Sequence, residues 1–267
     1  MKRFRHLAYC EAGAPDAPPL FLLHGGTMTA RWNWKTELPA FAAHYRVIAP
    51  DNPGHGESAN PRPALRYEDM VDDVLGLAAA LGIEHAAFYG FSDGGQIALE
   101  LAIREPDFPR AVVLSGVLHE LTPAYHAAML EFAGAPRFAD PEWSARQPEL
   151  AAECRAHHAD WERLAPQVWD LWMRPLELGP ERLARISAPV LILTGDRDPF
   201  VLLEDTVALL RKLPGAELAV IPQAAHGYDE RFSSAALEFL SRHIPRGEVE
   251  TMQRVASSAG RIGDPRG

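Results

Sequence analysis

The stretch Ala86-Ala87-Phe88-Tyr89-Gly90-Phe91-Ser92-Asp93-Gly94-Gly95 decides the fold of this 267-residue chain. Its first four residues are an apolar run of strand type, and a helical pattern opens near Gly94. A turn this tight between strand and helix leaves no room for a Cβ two residues before or two after the serine. Gly90 and Gly94 therefore hold Ser92 in a strained conformation with its hydroxyl exposed. The bare Gly-x-Ser-x-Gly pattern is common enough to need this setting, and partners elsewhere in the chain, to carry weight.

Outward from that turn, short apolar runs alternate with longer amphipathic segments. Residues 5–9, 20–23, 45–49, 86–89, 111–114, 190–194 and 217–221 read as strands; 32–43, 67–81, 94–104, 204–212 and 230–243 read as helices. Phe21-Leu22-Leu23 and Val190-Leu191-Ile192-Leu193 are continuously apolar, as parallel strands buried on both faces are. The alternation predicts an α/β architecture: a doubly wound, mostly parallel sheet of about seven strands with right-handed crossovers.

One segment breaks the rhythm. From about 117 to 180 no strand pattern appears, prolines recur, and four of the six tryptophans (Trp143, Trp161, Trp169, Trp172) gather. An insertion of roughly sixty residues is too long for a simple loop and reads as a helical cap. Residues 1–116 and 181–245 then form the core and 117–180 the inserted cap. Residues 246–267, rich in Arg, Ser and Gly, read as a disordered tail.

Composition excludes several function classes. Acidic residues number 36 against 26 basic ones, a net charge of −10, so no basic face for nucleic acid is expected. No apolar run approaches the roughly 20 residues of a membrane span. Met1-Lys2-Arg3-Phe4-Arg5-His6 is basic but has no apolar stretch behind it, so no secretory signal is expected. Two cysteines, Cys10 and Cys154, suit a reducing cytoplasm better than a disulfide framework. The partner expected is a small molecule, with the chain a monomer or homodimer.

An exposed serine hydroxyl needs a base, an acid to orient that base, and donors for a developing oxyanion. The run 20–23 ends in His24-Gly25-Gly26-Thr27, where Gly26 can offer an unobstructed amide. Asp93, next to the serine, supplies the second N–H. His24 reads as an orienting residue of that loop. Among the 11 histidines, His226 stands in a loop after the final strand between small residues and suits the base. Two carboxylates, Asp196 and Asp198, lie just past the strand 190–194, where sites of open α/β sheets form. Cys154-Arg155-Ala156-His157-His158 with Asp160 reads as a polar helix face, since no second ligand cluster has matching spacing.

Together, His24-Gly25-Gly26, Asp51-x-Pro53-Gly54-His55-Gly56-x-Ser58, Gly90-x-Ser92-x-Gly94-Gly95, Gly195-x-x-Asp198 and His226-Gly227 resemble the α/β-hydrolase superfamily over about residues 5–243. The resemblance implies a Ser92–His226–Asp198 triad and an oxyanion hole at Gly26 and Asp93, without a metal or organic cofactor. It favours Asp198 over Asp196 as the acid, with Glu120 a more remote fallback. The Asp51–Ser58 motif, a family hallmark, would be structural. The N-terminus is short for the family, so its first antiparallel strand is expected to be absent, leaving seven.

A serine at the elbow disfavours haloalkane dehalogenase and epoxide hydrolase chemistry, which use a carboxylate there. An ester, lactone, thioester or activated amide hydrolysed through an acyl-enzyme is the natural reaction. A C–C bond hydrolase or a cofactor-free haloperoxidase would use the same residues, and a non-catalytic binding role is the remaining alternative. Ser92-Asp93-Gly94-Gly95 also resembles the elbow of amino-acid ester hydrolases of the valacyclovir-hydrolase type, which would make Asp93 a carboxylate that attracts cationic substrates. In the cap, Trp161, Trp169 and Trp172, with Leu164, Val168 and Met173, are expected to line an apolar substrate pocket.

Overall fold

Successive side chains of a strand face opposite sides of a sheet, so a strand covered on both sides must be apolar throughout. The computed structural model, which describes residues 1–133, 141–227 and 229–244, shows this directly. In β3 (Pro19–Leu23), Phe21 and Leu23 join one core cluster while Leu20 and Leu22 join another on the opposite face. In β7 (Val190–Gly195), Val190 and Ile192 face the first cluster, Leu191 and Leu193 the second. Between them lie β5 (Ala86–Phe91) and β6 (Pro109–Ser115), also buried on both faces.

The sheet has eight strands in the order β1-β2-β4-β3-β5-β6-β7-β8, completed by β4 (Arg46–Pro50) and β8 (Glu217–Ile221). All neighbours from β4 to β8 run parallel. The expected count of seven, with no leading antiparallel strand, is corrected at the N-terminus. Residues 5–9 are not one strand: β1 (Lys2–Phe4) and β2 (Leu7–Ala12) form an antiparallel hairpin, and β2 pairs antiparallel with β4. The connection Arg5-His6 puts Arg5 at φ +52°, a left-handed conformation usually supplied by glycine or asparagine. No glycine marks the turn, which is why the sequence pattern ran through it.

Helices cover both faces. On one side lie α3 (Tyr67–Ala80) and α4 (Asp93–Arg104), which pack together. On that same side lies α10 (Leu203–Lys212), whose Leu209 joins the first cluster, while α11 (Glu230–His243) covers the opposite face and contributes Phe232, Ala236, Phe239 and Leu240 to the second. The segment expected as one helix over 32–43 is two short ones, α1 (Ala30–Asn33) and α2 (Leu38–Ala42), with Pro39 opening the second.

Between β6 and β7 the described residues form α5 (Pro123–Ala133), α6 (Pro141–Arg146), α7 (Pro148–His157), α8 (Trp161–Trp172) and α9 (Pro180–Leu183). Four begin at a proline, whose fixed φ suits a first helical position. Pro166 instead lies within α8. The tail at 246–267 lies outside the described residues.

Where α7 meets α8, three imidazoles line up, tilted to one another, from the insertion to the core: His158 lies 5.5 Å from His55, and His55 lies 5.2 Å from His24, centroid to centroid. Burial is the main cause that holds all three below the ordinary histidine value of 6.5, with His158 pushed down to about 4. The unfolded chain therefore binds the extra protons first as pH falls. Stability from these rings is complete above about pH 6.5 and is lost as pH falls toward 4. Thermal unfolding followed across that range should show a progressive fall in Tm. His158→Phe, which keeps a ring and removes one of the three titrations, should make that fall in Tm shallower.

Candidate active site

The elbow geometry follows from its glycines. Ser92 links β5 to α4 at φ +52° and ψ −117°, a sparsely populated region for a residue with a Cβ. A Cβ at Gly90 would stand 2.2 Å from the Gly94 carbonyl oxygen, and one at Gly94 would stand 2.0 Å from that of Leu23. Backbone therefore meets backbone on both sides of the serine. Ser92 N–H donates to Ser115 O at 2.8 Å, pinning the turn to the end of β6.

His226 reaches Ser92 from the loop after β8. Its Nε2 lies 3.1 Å from Ser92 Oγ, and its Nδ1 lies 2.7 Å from Asp198 Oδ2. An ionised carboxylate at Nδ1 can only accept, so the proton sits on Nδ1 and the Nε2 lone pair faces the serine. Asp198 is fixed in turn: its Oδ1 accepts N–H bonds from Phe200 and Val201, both at 2.9 Å. Asp196 instead lies 3.8 Å from Arg197, and Glu120 lies 3.6 Å from His119; neither pairs with His226. Gly116, which the sequence reading did not single out, has φ +62°, and a Cβ there would stand 2.8 Å from His226 Cε1. A glycine closing a buried strand next to the site was the available signal.

The loop after β3 is held by buried polar groups. Asn52 N–H donates to His24 Nε2 at 2.8 Å, so the His24 proton sits on Nδ1 and is donated to Gly25 O, also at 2.8 Å. Gly25 N–H is held by Asn33 Oδ1 at 3.0 Å. Asp51 accepts from Ala30 and Glu57 amides, and Ser58 Oγ donates to Asp51 O while accepting from Ala8 N–H. The motif from Asp51 to Ser58 thus braces the loop that presents Gly26. At Gly26 a Cβ would stand 2.4 Å from Asp93 Oδ2 and 2.7 Å from the Trp172 ring, so no side chain fits there.

Ser92, Gly26, Asp93 and His226 all open onto one cavity of about 290 Å³. Its walls are mainly apolar, from Met28, Phe91, Leu118, Met129, Leu171 and Phe200, with Tyr67, Gln96 and Arg174 as polar members. Trp172 lines it as expected from the sequence, but Trp161 and Trp169 do not. Trp161 is buried inside the insertion beside Trp143 and His158. It shares a helix face with Trp172 but lies eleven residues, about 16 Å, along the axis of α8. Only the C-terminal end of α8 reaches the cavity. Trp169 packs against the first cluster and against a small third one of Leu118, Tyr125, Met129 and Val201, Leu164 and Val168 are buried in the first, and Met173 packs against the third.

Asp93 is not an open carboxylate at a mouth. Its Oδ1 accepts from Tyr67 Oη at 2.7 Å and from Trp172 Nε1 at 3.0 Å, and Trp172 Nε1 also lies 3.0 Å from Oδ2. Burial raises the Asp93 carboxyl above its usual range, against the pull of these donors. Burial and the adjacent Asp93 push the Tyr67 phenol well up, so it stays a donor.

With this geometry in hand, comparison with known proteins is decisive at family level. The model of the Alpha/beta hydrolase family matches residues 20–239, and the chain belongs to that family of enzymes. Among curated relatives, it is 30% identical over 245 residues to 2-hydroxymuconate semialdehyde hydrolase of Pseudomonas sp. (strain CF600), covering 84% of this chain and 87% of that one. It is 26% identical over 239 residues to (E)-2-((N-methylformamido)methylene)succinate hydrolase of Acinetobacter baylyi, covering 82% and 86%. Of solved structures, the enol-lactonase from Burkholderia xenovorans LB400 superposes with a TM-score of 0.70 at 26% identity, covering 88% of this chain and 96% of that one. An esterase from Thermogutta terrifontis gives 0.73 at 26% identity, with 89% and 94% covered.

The elbow can be tested without a substrate. Gly94→Ala should destabilise the fold by about 3 kcal/mol or more, or about 6–12 °C in Tm for a chain of this size, because its new methyl meets backbone that cannot step aside. Differential scanning calorimetry checks this, and an unchanged Tm would mean that the strand and helix are not in contact as described.

Proposed function

We propose that the protein is a serine hydrolase that cleaves a small carboxylic ester, lactone, thioester or activated amide through an acyl-enzyme. One observation carries the reading: the continuous relay from Ser92 Oγ through His226 to Asp198, at 3.1 and 2.7 Å, set at the strained elbow. Ser92 attacks the substrate carbonyl while His226 Nε2 takes its proton. The Asp198 carboxylate stabilises the imidazolium that forms. The main-chain N–H groups of Gly26 and Asp93 hold the oxyanion. His226 then protonates the leaving group, and water repeats the sequence to release the acid. In this mechanism the Asp93 side chain is a strut for Trp172, and Trp172 shapes the substrate wall.

The helices from α5 to α9 act as a cap over this cavity, which suits a small monomeric substrate. The Cys10 and Cys154 thiols are free, which fits a cytoplasmic location. No helix among the described residues is long and apolar enough to cross a membrane.

A second reading, cleavage of a carbon–carbon bond, needs the same three side chains. The relative named 2-hydroxymuconate semialdehyde hydrolase favours it, because a semialdehyde has no ester or amide to hydrolyse.

Burst kinetics with 4-nitrophenyl acetate and butyrate separate the two. The wild type should show a burst of about one nitrophenolate per Ser92 followed by slower turnover. Ser92→Ala should abolish the burst and lower kcat by roughly 10⁶, and Asp198→Asn by about 10⁴. A wild-type rate in Ser92→Ala would overturn the proposal. No burst with any ester, together with turnover of a vinylogous diketone, would favour carbon–carbon cleavage.

A further inference from the structure

The charge that Asp93 brings to the cavity is committed to Tyr67 and Trp172, and Gly26 closes against its Oδ2. The other fixed charge in the wall is Arg174, the one Lys or Arg among the described residues that line the cavity. It follows α8 directly, two residues past Trp172, and is half-buried.

Its bonding is sparse. Nη1 donates to the Leu65 carbonyl at 3.2 Å, and no carboxylate of the described residues forms an ion pair with it. Some arginines on this acidic chain pair with carboxylates, as Arg62 with Asp73 and Arg182 with Glu100, and others, such as Arg146, donate among the described residues only to a carbonyl; of these, Arg174 is the one that lines the cavity. A guanidinium carries five N–H donors in a planar fork that matches a carboxylate, and one bond to Leu65 leaves most of that fork unused. In a mainly apolar wall that also includes Leu171 and Leu176, an unpaired guanidinium is costly to desolvate unless the ligand brings the missing anion. The bond to Leu65 also holds the side chain in place before a ligand arrives.

We propose that Arg174 is the specificity-determining residue of the cavity and that its substrates carry a free carboxylate besides the carbonyl attacked by Ser92. This rests on the serine-hydrolase reading and names its substrate class: half-esters of dicarboxylic acids rather than neutral or amino-acid esters. The carboxylate pairs with the fork of Arg174 while the ester carbonyl lies at Ser92.

Three esters of equal acyl length test this: mono-4-nitrophenyl adipate, 4-nitrophenyl hexanoate and 4-nitrophenyl 6-aminohexanoate. The wild type should favour the adipate half-ester over the hexanoate in kcat/KM by about tenfold or more, with the amino ester last. Arg174→Gln should lower the adipate-to-hexanoate ratio by about tenfold, and Arg174→Lys, with charge but no fork, should retain part of it. A wild-type ratio at or below one, or a ratio unchanged in Arg174→Gln, overturns the proposal. A binding measurement runs beside it: adipate, but not adipamide, should perturb tryptophan fluorescence in Ser92→Ala, and Arg174→Gln in that background should remove the response. Arg174-dependent adipate binding without ester turnover would sink the hydrolase reading and keep the anion site. Ser92-dependent hexanoate hydrolysis with no carboxylate preference would do the reverse.

Discussion

The constraint on which the structure depends is the contact between two pieces of backbone at the elbow. The Gly94 Cα lies so close to the Leu23 carbonyl, and that of Gly90 to the Gly94 carbonyl, that neither position has room for one more carbon. That closeness holds α4 against β5 and β3 and puts Ser92 at φ +52°. A strained serine stays strained only if its surroundings over-determine it. Here the hydrogen bond to Ser115 and the buried strands on either side do so.

Everything else in the site is arranged around that fixed point. In a parallel sheet the loops after successive strands emerge on one edge, so the residues following β3, β5, β6, β7 and β8 meet there although they are scattered along the chain. Gly26, Ser92, Gly116, Asp198 and His226 come from those five loops in turn. Polar bracing holds these loops in place. His24, Asn52, Asp51 and Ser58 form one bonded framework behind Gly26, and the amides after Asp198 clamp its carboxylate.

The helical insertion joins this edge chiefly through α8. Gln167 bonds Asn60 at 2.8 Å, Arg174 bonds the Leu65 carbonyl, and Trp172 bonds Asp93 beside the serine. The same segment that closes the cavity thereby sets which groups face a ligand. The outcome is an apolar chamber whose carboxylate is satisfied by the protein and whose guanidinium is not.

Local chemistry was readable along the chain because it depends on spacing. The glycines of the elbow, the continuously apolar strands and the proline-rich break at 117–180 act on their immediate neighbours, and so leave a pattern in sequence. Asp198 and His226 could be placed in loops after strands because strand order implies a common edge, but only the folded chain shows them bonded to one another. Other features had no local signature. The N-terminal hairpin turns at an arginine instead of a glycine, and Trp161 and Trp172 of α8 share a face while lying three turns apart. The sequence by itself determined the fold family and the candidate nucleophile, because backbone crowding and burial periodicity are short-range. Which charge in the cavity is spoken for, and which waits for a partner, was decided by tertiary structure alone. That depends on the meeting of Tyr67, Asp93, Trp172 and Arg174 from three separate stretches of chain.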